Sequence, residues 1–386
     1  MDFDLTPEQA LLRDSVAALG KRYGHRYYVE QAKAGKNTDA LWREAGDLGY
    51  LGVNLPVEHG GGGGGITELA IVCEELAAAG CPLLLLVVSP AIAGTIIAKH
   101  GTDGQRAQYL PGLADGSRRI CFAITEPDAG SNFHKLATVA RLDDSSGDYL
   151  ITGRKVYISG VDACDDVLLV ARVSKGDRLE PALFVLPTDT PGFSYRPIEM
   201  EILSPERQFE LVLDDVRVPA SALVGGSTEA GLPALFAGLN PERITVAAMA
   251  AGTGRYALGR ASAYTAQRTV WGRPIGAHQG VSHQLAHAHI QVELARLAVA
   301  KAATLYDAGR DVEAGVAANT AKYASAEASA LAVDTAIQVH GGNGMTTEYG
   351  VATLLGSSRA ARIAPVSREM ILNYVAQHVL RQPKSY

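Results

Sequence analysis

Between Arg119 and about Val224 the chain changes its hydrophobic period, and then changes it back. Upstream, apolar residues recur at helical spacing through Leu11, Leu12, Val16 and Leu19, and again through Leu41, Ala45 and Leu48. Within the stretch, β-rich runs at 120–124, 136–142, 149–158, 167–173, 182–187 and 209–218 alternate with Asp-Asp, Gly-Asp and Pro-Gly breaks. A turn signal roughly every ten residues reads as an antiparallel sandwich or barrel. Downstream, Pro233–Arg268 and Gln284–Val339 contain long Ala-rich helical stretches whose small side chains suit close helix packing, and a last helix is expected over Val366–Leu380. The pattern predicts an α+β chain: an N-terminal helical domain (1–118), a middle antiparallel β domain (119–227) and a C-terminal four-helix-bundle domain (228–386). A length of 386 residues exceeds what one core usually serves, which fits such a division.

Charge and composition remove several function classes. The net charge of −6 and the lack of any Lys/Arg block give nucleic acid nothing to bind. Four cysteines without a C-x-x-C spacing suit a reducing compartment and argue against zinc. Of His283, His287 and His289 only the first two share a helix face, and no acidic third ligand is placed, so packed or interfacial histidines are expected and no metal. Met1–Glu8 is acidic, unlike a signal peptide, and Leu83–Ala98 reads as a buried helix pair broken at Pro90 rather than a membrane span. A cytoplasmic location is the expectation. Thr6-Pro7-Glu8-Gln9 carries the marks of a capping box with Pro at the first helical position. Gly60–Gly65 lacks the Lys and Ser/Thr of a phosphate loop and reads as a flexible connector.

The chemistry concentrates at Cys121–Asn132, CFAITEPDAGSN, where a β-rich run ends in Pro, Gly and small polar residues. Such a composition forces a loop with exposed N–H groups, and Thr125 and Ser131 add hydroxyls. With the helical–β–helical order around it, this segment resembles the entry to the β domain of the flavin-dependent acyl-CoA dehydrogenases. Gly153-Arg-Lys-Val-Tyr157-Ile-Ser159 resembles the family's strand over one flavin face, and Asp214-Asp-Val-Arg-Val-Pro219 its last β-domain strand. Gln267-Arg268-Thr-Val-Trp-Gly272-Arg-Pro-Ile275, followed by His278-Gln279, resembles the segment whose Arg pairs with the FAD pyrophosphate of a neighbouring subunit. Gln338-Val-His-Gly341-Gly342 resembles the Q-x-x-G-G loop.

The resemblance implies FAD, held by Phe122, Thr125, Ser131, Tyr157, Ser159, Arg268, Gln279, Gln338, Gly341 and Gly342. The family more often has Trp and Thr where Tyr157 and Ser159 stand. It also implies an acyl-CoA substrate, electron-transfer flavoprotein as acceptor, and a homotetramer or heterotetramer.

Desaturation of an acyl-CoA requires a desolvated carboxylate to take the α-proton while the β-hydrogen leaves as hydride to flavin N5. In most of the family that Glu lies near the C-terminus; the matching register here holds Pro365, which also lacks the N–H that would help polarise the thioester carbonyl. Gly356-Ser357 replaces the usual Arg-Asp. A minority, including the isovaleryl-CoA dehydrogenases, carry the base on an earlier helix, in a motif resembling Leu239-Asn240-Pro-Glu242-Arg243. Glu242 is therefore the expected base, with Ser131, Asn240 and Arg243 at the substrate. Alternatives on the same scaffold are a flavin monooxygenase, a nitroalkane-type oxidase, or a subunit partnering an active paralogue.

Overall fold

The computed structural model describes residues 4–175 and 178–384. The N-terminal helices are α1 (Pro7–Lys33), α2 (Asp39–Asp47), α3 (Ile66–Ala78), α4 (Thr95–His100) and α5 (Asp103–Asp115). The capping box at α1 forms as expected: Gln9 N–H donates to Thr6 Oγ1 at 3.2 Å, and Thr6 N–H to Gln9 Oε1 at 3.1 Å.

Two expectations are corrected here. Pro90 does not break a helix pair. Val87–Gly94 widens into a π-helical stretch that runs straight into α4, because an i→i+5 pattern accommodates a residue with no N–H. The glycine run is not a flexible connector either. Gly62, Gly63 and Gly64 donate to the carbonyls of Gly52, Leu55 and Val53, and a Cβ on Gly61 would sit 2.2 Å from the Leu55 carbonyl oxygen. Only glycine lets the two backbones close up. The run then delivers the start of α3 to Asp307, whose carboxylate accepts from Ile66 and Thr67 N–H at 2.8 and 2.9 Å.

The middle region holds β1 (Ile120–Ala123), β2 (Val139–Leu142), β3 (Tyr149–Ser159), β4 (Asp166–Lys175), β5 (Arg178–Pro187), β6 (Phe193–Ile198) and β7 (Gln208–Val218). The order is β1-β4-β2-β3-β7-β6, with β5 on β4. Most pairs are antiparallel; β1 and β2 pair with β4 in parallel. β6 escaped the sequence reading because FSYRPI is exposed at nearly every position, an edge strand without an alternating face.

The chain ends in α6 (Gly231–Gln267), the hairpin β8 (Thr269–Val270) and β9 (Arg273–Pro274), α7 (Gln279–Asp307), α8 (Asp311–His340), α9 (Leu354–Ala360) and α10 (Arg368–Tyr374). The second Ala-rich stretch folds back on itself at Gly309, where φ is 70°. The expected last helix is shorter, α10 running on into a π turn at Val375–Val379. Close packing of α6 follows from its small residues: a Cβ on Gly252 would meet the Glu74 carbonyl of α3 at 2.2 Å.

Candidate active site

The loop after β1 is built on a buried ion pair. Glu126 and Ala129 exchange main-chain hydrogen bonds across Pro127-Asp128, closing a tight hairpin. Beneath it Glu126 accepts from Ala137 and Thr138 N–H and from Lys155 Nζ at 2.9 Å, while Lys155 also donates to the Ile124 carbonyl at 3.0 Å. Both side chains are buried, Lys155 completely. Burial pushes the Glu126 carboxyl up, but the two N–H donors and the ammonium outweigh it and hold it below the ordinary carboxylate value.

This anchor brings Thr125 beside β3, where Val156 N–H donates to the Thr125 carbonyl at 2.9 Å. The next residue, Tyr157, sits in a bulge of the β3–β7 ladder with φ of 58°, and its ring is 60% exposed. Left-handed backbone at a tyrosine is strained and occurs where surrounding structure imposes it, commonly at functional sites. Thr125 and Ser159 are half-buried near the bulge and Ser131 is exposed; Ser159 shares a hydrogen bond with Gln208 at 3.0 Å. Phe122 differs from these: its ring is buried within β1, in the main core.

Glu242 lies about three turns into α6, not just after a helix start, so the helix dipole contributes little to it. Pro241 is interior, and Thr245 Oγ1 donates to its carbonyl. Among the described residues nothing hydrogen-bonds or pairs with the Glu242 carboxylate. Glu242 is half-buried; desolvation raises its carboxyl to about 7, opposed by the charges of Arg243 and Lys322. Arg243 donates to Asn240 Oδ1 at 3.1 Å, and its Nε is buried without a partner. The ring of Phe236, six residues (about 9 Å of helix) before Glu242, meets Phe133 of the 131–135 loop edge-on at 6.4 Å. The proposed flavin edge and Glu242 therefore belong to one region.

Lys322 was missed from sequence. It is 1% exposed on α8 and donates to the carbonyl of Val366, next to Pro365. Its one signal is a lone cation inside an Ala-rich helical stretch. Glu126 and Lys155 were likewise not singled out, since each looked like an ordinary surface charge.

Arg268, Gln338, Gly341 and Gly342 line an open cleft of about 410 Å³ with Tyr264 and Asn343. Gly341 has φ 60° and ψ −140°, a conformation reserved for glycine. Arg268 is exposed with no carboxylate partner among the described residues. Gln279 opens α7 and does not line the cleft. Twenty-five residues of α6 separate Glu242 from Gln267, about 38 Å, so the cleft lies at the end of α6 away from its start, where Gly231 packs against the Pro181 carbonyl of β5. The donor set fits FAD in two halves: hydroxyls and an exposed ring for a flat heteroaromatic, and a free guanidinium over glycine backbone for a pyrophosphate.

His283, His287 and His289 are exposed on α7 rather than packed, and among the described residues no group of three or more His, Cys, Asp or Glu is placed to hold a metal. No helix among them is long and apolar enough to cross a membrane.

Family models for the N-terminal, middle and C-terminal domains of the acyl-CoA dehydrogenases match residues 6–117, 121–216 and 229–380. Acyl-CoA dehydrogenase FadE12 of Mycobacterium tuberculosis is 61% identical over 98% of this chain and 97% of its own. Butyryl-CoA dehydrogenase of Megasphaera elsdenii superposes with a TM-score of 0.91 at 28% identity, covering 99% of this chain and 100% of that one. A glutaryl-CoA dehydrogenase of Mycobacterium smegmatis in complex with FADH2 superposes at 0.89 with 26% identity, covering 99% and 97%.

Proposed function

Because this chain belongs to the acyl-CoA dehydrogenase family, whose members oxidise acyl-CoA thioesters with FAD, we propose that it desaturates an acyl-CoA with Glu242 as the base. The single observation carrying this reading is the setting of Glu242: half-buried within α6, without a hydrogen-bond or ion-pair partner among the described residues, and raised to about 7 by desolvation. A general base needs a free lone pair and a proton affinity near working pH, and both follow from its surroundings. Pro365 cannot take the role, having neither a carboxylate nor an N–H.

Thr125, Ser131 and Ser159 orient the isoalloxazine edge and Tyr157 covers one face, with Phe122 behind them in β1. FAD bound at this edge would supply the acceptor for the hydride that leaves the β-carbon. Arg243 shapes the acyl-CoA site so that the substrate's α-hydrogen faces Glu242, Asn240 meets the CoA adenine, and Ser131 contributes from the loop. The proton taken from the α-carbon rests on the Glu242 carboxylate until product leaves. At the other end Arg268, Gln338, Gly341, Gly342 and Gln279 are offered to the pyrophosphate half held by a second copy, which makes the dimer the least complete unit and a tetramer the expected assembly. Electron-transfer flavoprotein is the proposed acceptor, and domain limits of 1–118, 119–227 and 228–386 go with this reading.

Glu242→Gln tests it. The variant keeps the shape of the side chain and loses the base, so it should purify with flavin bound yet show no anaerobic bleaching by acyl-CoA. Bleaching at the wild-type rate sinks the assignment.

A further inference from the structure

Glu242 poses a physical problem that its own surroundings must solve. A carboxylate with no hydrogen-bond donor in a desolvated site tends to take up a proton and cease to be a base. A direct ion pair would keep it charged but would occupy the lone pair that must receive the α-proton. The workable arrangement is a cation close enough to be felt and too far to touch.

We propose that Lys322 is that cation: a positioning residue, buried on α8, that holds the 364–367 loop through Val366 and supplies the positive field keeping Glu242 charged without pairing with it. This rests on Glu242 being the base. Lys322 is almost fully buried, and its one hydrogen bond goes to a main-chain carbonyl. α8 runs alongside α6, with Gly315 against the Asn240 side chain and Gly254 against Ser329, so Lys322 stands on the neighbouring helix about five residues, or roughly 8 Å of rise, beyond the level of Glu242, and no ion pair within 4 Å joins the two among the described residues. An ammonium taken out of water for a single neutral acceptor is costly, so its retention there calls for a return that the Val366 bond alone does not give.

The charged and titratable groups facing this centre come from three elements. Arg243 on α6 adds a second positive charge beside Glu242. Glu327 on α8 and Glu369 on α10 act on Lys322, and Tyr374 on α10 acts on Arg243. Arg362 and Arg368 bracket the loop but are paired to Glu327, at 2.7 and 3.1 Å, so their charge is largely spent. That leaves Lys322 as the cation from another helix whose charge reaches Glu242. It also works from the loop in which Pro365 stands.

A unit charge roughly 6–10 Å away, at an effective dielectric near 20, moves a carboxylate by roughly one to two pH units. Lys322→Met in the flavin-loaded enzyme should therefore shift the midpoint of the pH profile for anaerobic bleaching by saturating acyl-CoA upward by that amount. The plateau rate at high pH should recover to within severalfold. Lys322→Gln keeps a donor for Val366 while dropping the charge, and should show the same shift; it also stands in if the methionine variant does not fold. Lys322→Arg should restore the wild-type midpoint.

A second readout needs no turnover. The difference in melting temperature between proteins carrying Glu242 and their Glu242→Gln counterparts falls as Glu242 ionises, and in the Lys322→Gln background that fall should move to higher pH. Unshifted midpoints in both neutral variants overturn the inference while leaving Glu242 as base. Full bleaching by Glu242→Gln alone would instead remove the base assignment on which the inference stands.

Discussion

Replacing Lys155 by Met cuts one ammonium out of the network that shapes the 124–138 loop. The wild-type ammonium is fully buried and makes two hydrogen bonds, to Glu126 and to the Ile124 carbonyl. Its loss leaves a buried carboxylate with two main-chain donors but no countercharge, and a carbonyl with no donor. Removing one partner of a buried pair costs about 3–5 kcal/mol; the surviving N–H bonds of Ala137 and Thr138 place this case near the lower figure. A three-domain chain is not expected to unfold in two states, so the cost is best read locally, from amide exchange. At about 1.4 kcal/mol per tenfold, exchange at Ala137, Thr138 and Val156 should speed up a hundredfold or more. The protein should also retain less flavin, because Thr125 and Tyr157 are held by the same network. Glu126→Gln in the Lys155→Met background removes the stranded charge and should recover part of the loss. Exchange altered by less than tenfold in Lys155→Met would refute the claim that this pair organises the loop.

Glu206 is buried in the β6–β7 connection, accepting from Leu84 N–H and Ser204 Oγ, and burial raises it to about 7. A folded value above the unfolded one means that its favourable contribution is whole below about pH 4.5 and lost as pH rises through 7. Glu206→Gln should therefore melt progressively above wild type between pH 5.5 and 8, with no such gain at the acid end. Gly341→Ala meets no neighbouring atom but forces a side chain onto φ 60°, ψ −140°, and should cost about 1–3 kcal/mol with faster flavin loss; Gly342→Ala, which has open space and no such backbone demand, should be tolerated on both counts.

The helical–β–helical order was legible because each segment keeps one hydrophobic period over many residues. What stayed hidden were features set by contact rather than period. The glycine run reads as slack until Gly61 is seen against the Leu55 carbonyl. Pro90 reads as a break because sequence does not reveal that a helix can widen around it. The loop proposed for the flavin edge was visible from its residue types, yet its foundation, Glu126 with Lys155, was not, since a charge with a partner 29 residues away looks like any surface charge. Lys322 was hidden for the same reason. Glu242 was found through a motif, but its setting, interior to α6 and without donors, emerges only once α6 is seen to begin at Gly231.

Glu126 and Glu242 set out the logic of the site side by side. Glu126 is buried and Glu242 half-buried, and desolvation pushes both upward. They part company over donors. Glu126 faces two free loop N–H groups and touches an ammonium, so it stays charged and serves as structure. Glu242 projects from the middle of a helix whose N–H groups are already committed to the turn before, which leaves the backbone nothing to offer it. Among the described residues its counterweights are Arg243 and Lys322, neither hydrogen-bonded to it. A loop position, with its uncommitted N–H groups, would pull the same carboxylate toward the state of Glu126 and out of the range a base needs. A base placed on α6, as proposed for Glu242 with Lys322 on the neighbouring helix, would avoid the risk that a loop amide neutralises its basicity.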